Sequence, residues 1–141
     1  MSKYKVERVD VWVSGLRDRS GALAKAFATL SDAGADLEFV IARRTPTLPG
    51  GGVVFFTPIV GEQQEAAARA LGADVVDSVQ TLRVEGENAA GQGAKVAGAL
   101  AAAEINMHGF SAAVIGDRFV AYIGFDSEAD ASKAEAVLAA L

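Results

Sequence analysis

Two stretches of this chain carry one pattern seventy positions apart. Residues 18–36, laid over residues 88–106, align Gly21 with Gly91, Lys25 with Lys95, Leu30 with Leu100 and Asp36 with Asn106. The segments on either side repeat in kind and order. A duplicated unit of this length predicts two small copies of one plan, which is the strongest constraint on what the chain can fold into.

In the first copy, Val6 to Ser14 alternates, with Val9, Val11 and Val13 interleaved with Arg8, Asp10 and Trp12. That period of two predicts a strand with a drier valine face. Gly15 to Gly21 reads as a turn, and Asp18 or Ser20 is placed to cap the next helix through a side-chain oxygen. Leu23, Phe27, Leu30 and Ala33 fall on one helical face, and Gly34 supplies a left-handed stop. A strand over Leu37–Ala42, a loop over Arg43–Gly52 with Pro46 and Pro49, and a strand over Val53–Ile59 follow. Pro58 suggests a bend or an edge near that strand's end. Glu62–Leu71 predicts a helix with Ala66, Ala67, Ala70 and Leu71 inward, closed by Gly72, before a short strand over Val75–Val79.

The second copy reads as strand (Gln80–Glu85), turn (Asn88–Gly91), helix (Gly93–Ala103) and strand (Met107–Ile115). A tight Gly116–Asp117 hairpin, a strand (Arg118–Phe125) and a last helix capped by Asp126 or Ser127 complete it. Ala134, Val137, Leu138 and Leu141 share one face of that helix. This copy lacks a closing strand. An empty slot would leave ladder N–H and C=O groups bare, so the N-terminal residues 3–8, seventy positions before 73–78, are expected to fill it. The predicted fold class is α+β: two ferredoxin-like βαββαβ modules, each an antiparallel sheet with helices on one face. The modules span residues 1–79 and 80–141, with residues 3–8 completing the second.

Composition closes several routes. The chain has no cysteine and a single histidine, His108. Disulfides, thiolate or His-rich metal sites and cysteine nucleophiles are excluded, and no cofactor is expected. A formal net charge of −5 disfavours nucleic acid and anionic membranes as partners. The longest apolar runs, such as Val53–Phe56, are far shorter than a membrane span, and no secretory signal is visible at the N-terminus. A soluble, cytoplasmic protein is the expectation. Gly50-Gly51-Gly52 is not a phosphate loop, because no Lys-Ser/Thr follows and a strand comes next.

The segment Asp18-Arg19-Ser20-Gly21-Ala22-Leu23, a helix, and then Ala33-Gly34-Ala35-Asp36-Leu37 resembles the ACT-domain pattern of acid-x-Pro-Gly-x-Leu, helix, Ala-Gly-hydrophobic-Asn-Ile. Gly91-Gln92-Gly93-Ala94-Lys95-Val96 with Glu104-Ile105-Asn106-Met107 is similar to the same pattern in aspartokinase regulatory regions. Ser20 and Ala90 stand where the family has proline, Glu104 where it has glycine, Asp36 where it has asparagine, and Asn88 where it has an acid. The resemblance implies a non-catalytic sensor of a small molecule, an amino acid, held where the turn after the first strand meets the start of the second strand of a neighbouring module. It further implies a homodimer or higher oligomer acting on an unidentified enzyme or regulator.

In the first copy the implied ligand residues are Leu16, Asp18, Arg19, Ser20, Gly21, Ala22 and Asp36. In the second they are Asn88, Gly91, Gln92, Gly93 and Asn106. The N–H groups of Ser20, Gly21 and Ala22, and of Gly91, Gln92 and Gly93, suit a carboxylate. Asp18, Asp36, Asn88 and Asn106 suit an ammonium group. Charge-assisted bonds of roughly 1.5–3 kcal/mol each are enough for micromolar binding, about −8 kcal/mol, after association costs.

Each residue also has a plainer role open to it. Asp18 and Asn88 suit helix caps, Gly21 and Gly91 suit close helix–sheet packing, and Asn106 suits a turn. His108 suits a surface, Trp12 a core or interface, and Arg43 with Arg44 a solvated pair. Two other functions stay open: an interaction module with degenerate sites, or a small enzyme using His108 or Asp36.

Overall fold

The computed structural model describes residues 3–45 and 50–141. Twelve elements run in the order β1 (Tyr4–Val9), β2 (Trp12–Arg17), α1 (Ala22–Asp32), β3 (Phe39–Arg44), β4 (Gly51–Thr57), α2 (Gly61–Ala70), β5 (Asp74–Val75), β6 (Gln80–Glu87), α3 (Gln92–Ala102), β7 (Gly109–Ile115), β8 (Arg118–Phe125) and α4 (Glu128–Ala139). They form two four-stranded antiparallel sheets, each with two helices, as the α+β expectation requires. Of the loop expected over Arg43–Gly52, residues 46–49 lie outside the described residues.

One compact unit is Asp10–Val76, with strand order β3-β4-β2-β5. Its core is Trp12, Leu30, Val54, Phe56, Ala68 and Ala73. The Arg69 guanidinium lies over the Trp12 ring, 5.0 Å from its centroid, a cation–π contact at the margin of this core.

The other unit is Asp77–Leu141 together with β1, with strand order β1-β6-β8-β7. β1 runs antiparallel to β6, from Tyr4 opposite Gly86 to Val9 opposite Thr81. The N-terminal segment therefore takes the fourth-strand position of this sheet. Arg8 ties β1 to α4, donating to Glu128 at 3.0 Å. The core gathers Leu82, Val84, Val96, Leu100, Phe119, Ile123, Phe125 and Leu138 around Tyr4. Ser127 caps α4, accepting from the Asp130 N–H at 3.1 Å.

Several local expectations are corrected. The strand expected over Val6–Ser14 breaks after Val9, and β1 and β2 join different sheets. The buried face is Trp12 and Ser14 rather than the valines. Trp12 carries the larger apolar body, and the Ser14 hydroxyl is satisfied by the Leu71 carbonyl at 3.1 Å, which makes its burial tolerable. In α2, Ala66 and Ala70 are exposed, whereas Ala68 is buried and Ala67 and Leu71 pack against the core. A helix of near-uniform alanines offers little difference in volume to fix its phase. Arg43 and Arg44 extend β3 instead of opening the loop, and β5 is two residues long.

Candidate functional site

Each sheet delivers its chain into a helix through the same corner. After β2, the Asp18 N–H donates to the Gly50 carbonyl at 2.9 Å and the Ala22 N–H to the Arg19 carbonyl at 3.3 Å. After β6, the Asn88 N–H donates to the Asp117 carbonyl at 2.7 Å and the Gln92 N–H to the Ala89 carbonyl at 3.3 Å. Gly21 and Gly91 precede their helices at the same φ of 87°, and neither helix has a side-chain cap. That left-handed backbone is open to glycine and strained for other residues. The first helical bonds match too: Lys25 N–H to Gly21 carbonyl, 3.0 Å, and Lys95 N–H to Gly91 carbonyl, 2.9 Å.

This geometry corrects two expectations. Asp18 and Ser20 do not cap α1, because the chain enters the helix through glycine. Ala22 and Gln92 do not offer bare N–H groups, because the turn consumes them. Among the described residues, no acceptor is paired with the N–H groups of Ser20, Gly21 and Leu23, or of Gly91 and Gly93. These are the unsatisfied donors a helix start leaves.

At the first corner, a cavity of about 230 Å³ is lined by Leu16, Arg17, Asp18, Arg19, Leu23, Arg43, Arg44 and Gly52 among others. A smaller one, about 140 Å³, reaches Gly15, Arg19, Ala22 and Lys25. The Asp18 carboxylate pairs with Arg44 Nε at 3.0 Å, and the Arg44 side chain stays 84% exposed, as expected of a solvated residue. At the second corner, a cavity of about 470 Å³ is lined by Lys3, Glu87, Asn88, Ala89, Ala90, Gly91, Gln92, Lys95 and Arg118.

Leu16, Asp18, Arg19, Ala22, Asn88, Gly91 and Gln92 thus line the corner cavities, while Ser20, Gly21 and Gly93 form their turns. Asp36 and Asn106 do not join them. Both are exposed and follow the far ends of eleven-residue helices, about 16 Å away along the axis. The cationic wall was missed by sequence reasoning, although the matched pair Lys25 and Lys95 pointed toward it.

The Gln92 side chain is held in place. Its Oε1 accepts from the Tyr4 hydroxyl, and its Nε2 donates to the Glu87 carbonyl. Glu85, two residues before Glu87 along β6, accepts from Arg83 at 2.7 Å and from Arg118 at 3.0 Å. These bonds, Arg83's first, hold its carboxyl below the usual carboxylate range. His108 Nδ1 and Asp126 Oδ1 lie 2.8 Å apart, with both side chains more than half exposed. No group of three or more metal-ligating acids or histidines occurs among the described residues, and no helix among them is long and apolar enough to cross a membrane.

The ACT-domain family model matches residues 11–71, which covers one of the two units. The fold is similar to that of a protein from Bacteroides thetaiotaomicron (14% identity, TM-score 0.74), covering 92% of this chain and 87% of that one. It is also similar to the regulatory subunit of aspartate kinase from Thermus thermophilus in its ligand-free form (16%, TM-score 0.62; 96% and 93% covered). Aspartate kinase from Synechocystis matches at 18% identity and TM-score 0.61, covering 97% of this chain and 26% of that one. No curated protein matches.

Proposed function

We propose that this chain is a non-catalytic regulatory sensor made of two ACT modules, binding an amino acid at its glycine corners and acting through a second copy of itself or a partner enzyme. The observation that carries this reading is the repeated corner. Gly21 and Gly91 share one backbone conformation, and each fronts a cavity beside unpaired N–H groups. A carboxylate satisfies those donors, and Asp18 at the first corner and Glu87 at the second are acceptors for an ammonium group. The ACT match over residues 11–71 and the regulatory aspartate kinase neighbours support it.

The distance of Asp36 and Asn106 from the corners in each unit fits a site that is completed by a neighbouring module. Ligand binding then favours the arrangement in which that neighbour is docked, and this is how the signal leaves the chain. The test is a thermal-shift screen of the twenty amino acids. A ligand at a 100-fold excess over its Kd stabilises by about 2.7 kcal/mol. Stabilisation by one or a few related amino acids is expected, and none by any of the twenty overturns the reading.

A second reading, an interaction module with degenerate sites, is favoured by the internal use of the Ala22 and Gln92 N–H groups. Native mass spectrometry separates the two, since a retained small molecule contradicts the second.

A further inference from the structure

We infer that the corner at Asn88 selects an amino acid with a second anionic group, an acidic side chain, over its neutral counterparts; this rests on the amino-acid reading above. The chain is acidic overall, at −5. Yet its cavity of about 470 Å³ draws cations from three separate segments: Lys3 ahead of β1, Lys95 on α3 and Arg118 on β8. Arg118 is balanced by Glu85 at 3.0 Å. Lys3 and Lys95 have no carboxylate within ion-pair distance among the described residues.

The first corner, lined by Arg17, Arg19, Arg43 and Arg44, carries one acid. There, the residue equivalent to Asn88 is Asp18, which answers Arg44 with its own carboxylate. Asparagine removes that internal partner from the second corner and leaves its lysines to be answered by whatever enters.

A neutral amino acid brings one carboxylate, which the turn's free N–H groups receive. Lys3 and Lys95, both lining the cavity, are then still without a carboxylate partner. A side-chain carboxylate matches them, and in a recessed site this attraction is stronger than in open water. Glu87 argues against a bare dicarboxylate: its carboxylate repels a ligand made only of acids and accepts the ammonium of an amino acid. The volume lies in the range of small-ligand sites and admits a molecule of glutamate's size.

The test is isothermal titration of the full chain with L-aspartate, L-asparagine, L-glutamate and L-glutamine, pairs of near-identical shape and different charge. At least one acid is expected to bind about ten-fold tighter than its amide, equivalent to about 1.4 kcal/mol. In the Lys3→Gln/Lys95→Gln variant that preference is expected to fall to about two-fold or less, while Lys3→Arg/Lys95→Arg retains it, with both variants checked for fold by circular dichroism. An amide that binds as tightly as its acid, or a preference that survives the double glutamine change, overturns the inference. If other amino acids bind and these acids show no advantage, the inference falls and the sensor reading stands. If no amino acid binds, both fall.

Discussion

Glu104 holds the left-handed backbone (φ 59°) that Gly34 holds (φ 86°) seventy positions earlier. Each lies just past the end of its helix and donates its N–H back into the last turn, Glu104 to Ala101 and Gly34 to Ser31, both at 2.9 Å. Glycine adopts this conformation without penalty, while a residue with a Cβ is strained there. Glu104→Gly is therefore expected to raise stability by about 1 kcal/mol, and Gly34→Ala to lower it by a similar amount. Urea melts of the two variants check both signs.

Much of this plan is legible in the sequence because glycines mark the places where two matching turns need them. Gly21 with Gly91 and Lys25 with Lys95 reveal the first half of the repeat at an offset of seventy. The second half hides because five residues separate Thr45 from Gly51, three more than the two between their counterparts Ile115 and Arg118. Beyond this stretch the equivalent positions lie 67 apart, as with Leu71 and Leu138, so one sliding comparison cannot align both halves. The vacancy in the second sheet is deducible, but its register is not. Trp12 faces Val75, whereas its counterpart Leu82 faces Arg8. That shifts the closing strand by three residues from the alignment at seventy. The cationic corner walls are illegible for a different reason. Lys3, Lys95 and Arg118 are scattered through the chain and meet only once β1 lies beside β6.

Tyr4 is the point where β1 meets the second corner. Its ring occupies the space a side chain at Gly86 needs: a Cβ there lies 2.8 Å from Tyr4 Cδ1 and 3.1 Å from the Lys3 carbonyl. Gly86→Ala is expected to cost about 1–3 kcal/mol as overpacking and to speed amide hydrogen exchange along β1. Tyr4→Phe keeps the ring but strands the Gln92 Oε1, at about 1 kcal/mol. Unchanged exchange in the Gly86 variant contradicts this packing.

The Glu85 cluster predicts acid sensitivity. The carboxyl's folded-state pKa is below its unfolded value, so its stabilisation is fully present above the ordinary glutamate range, about 4.3, and is lost as pH falls through the folded value. Urea midpoints at pH 7 and pH 3 should fall less in Glu85→Gln than in the natural chain. An equal fall contradicts the assignment.

β7 ends its sheet with an uncharged surface. Val114 is 52% and Ile115 71% exposed, and Phe110 near the other end of the strand is exposed too. An edge of this kind invites another strand. Sedimentation is expected to show self-association of the natural chain and a shift toward monomer in Val114→Lys. Identical profiles place the contact elsewhere.

The most direct measurement is a 15N–1H correlation spectrum of the whole chain, titrated with the amino acid that gives the largest thermal shift. Amides of Gly21 and Leu23, or of Gly91 and Gly93, are expected to move first and furthest as they acquire a carboxylate partner. If those four stay fixed while a saturable shift develops at other residues, a ligand binds but not at the glycine corners, and the account fails at its root.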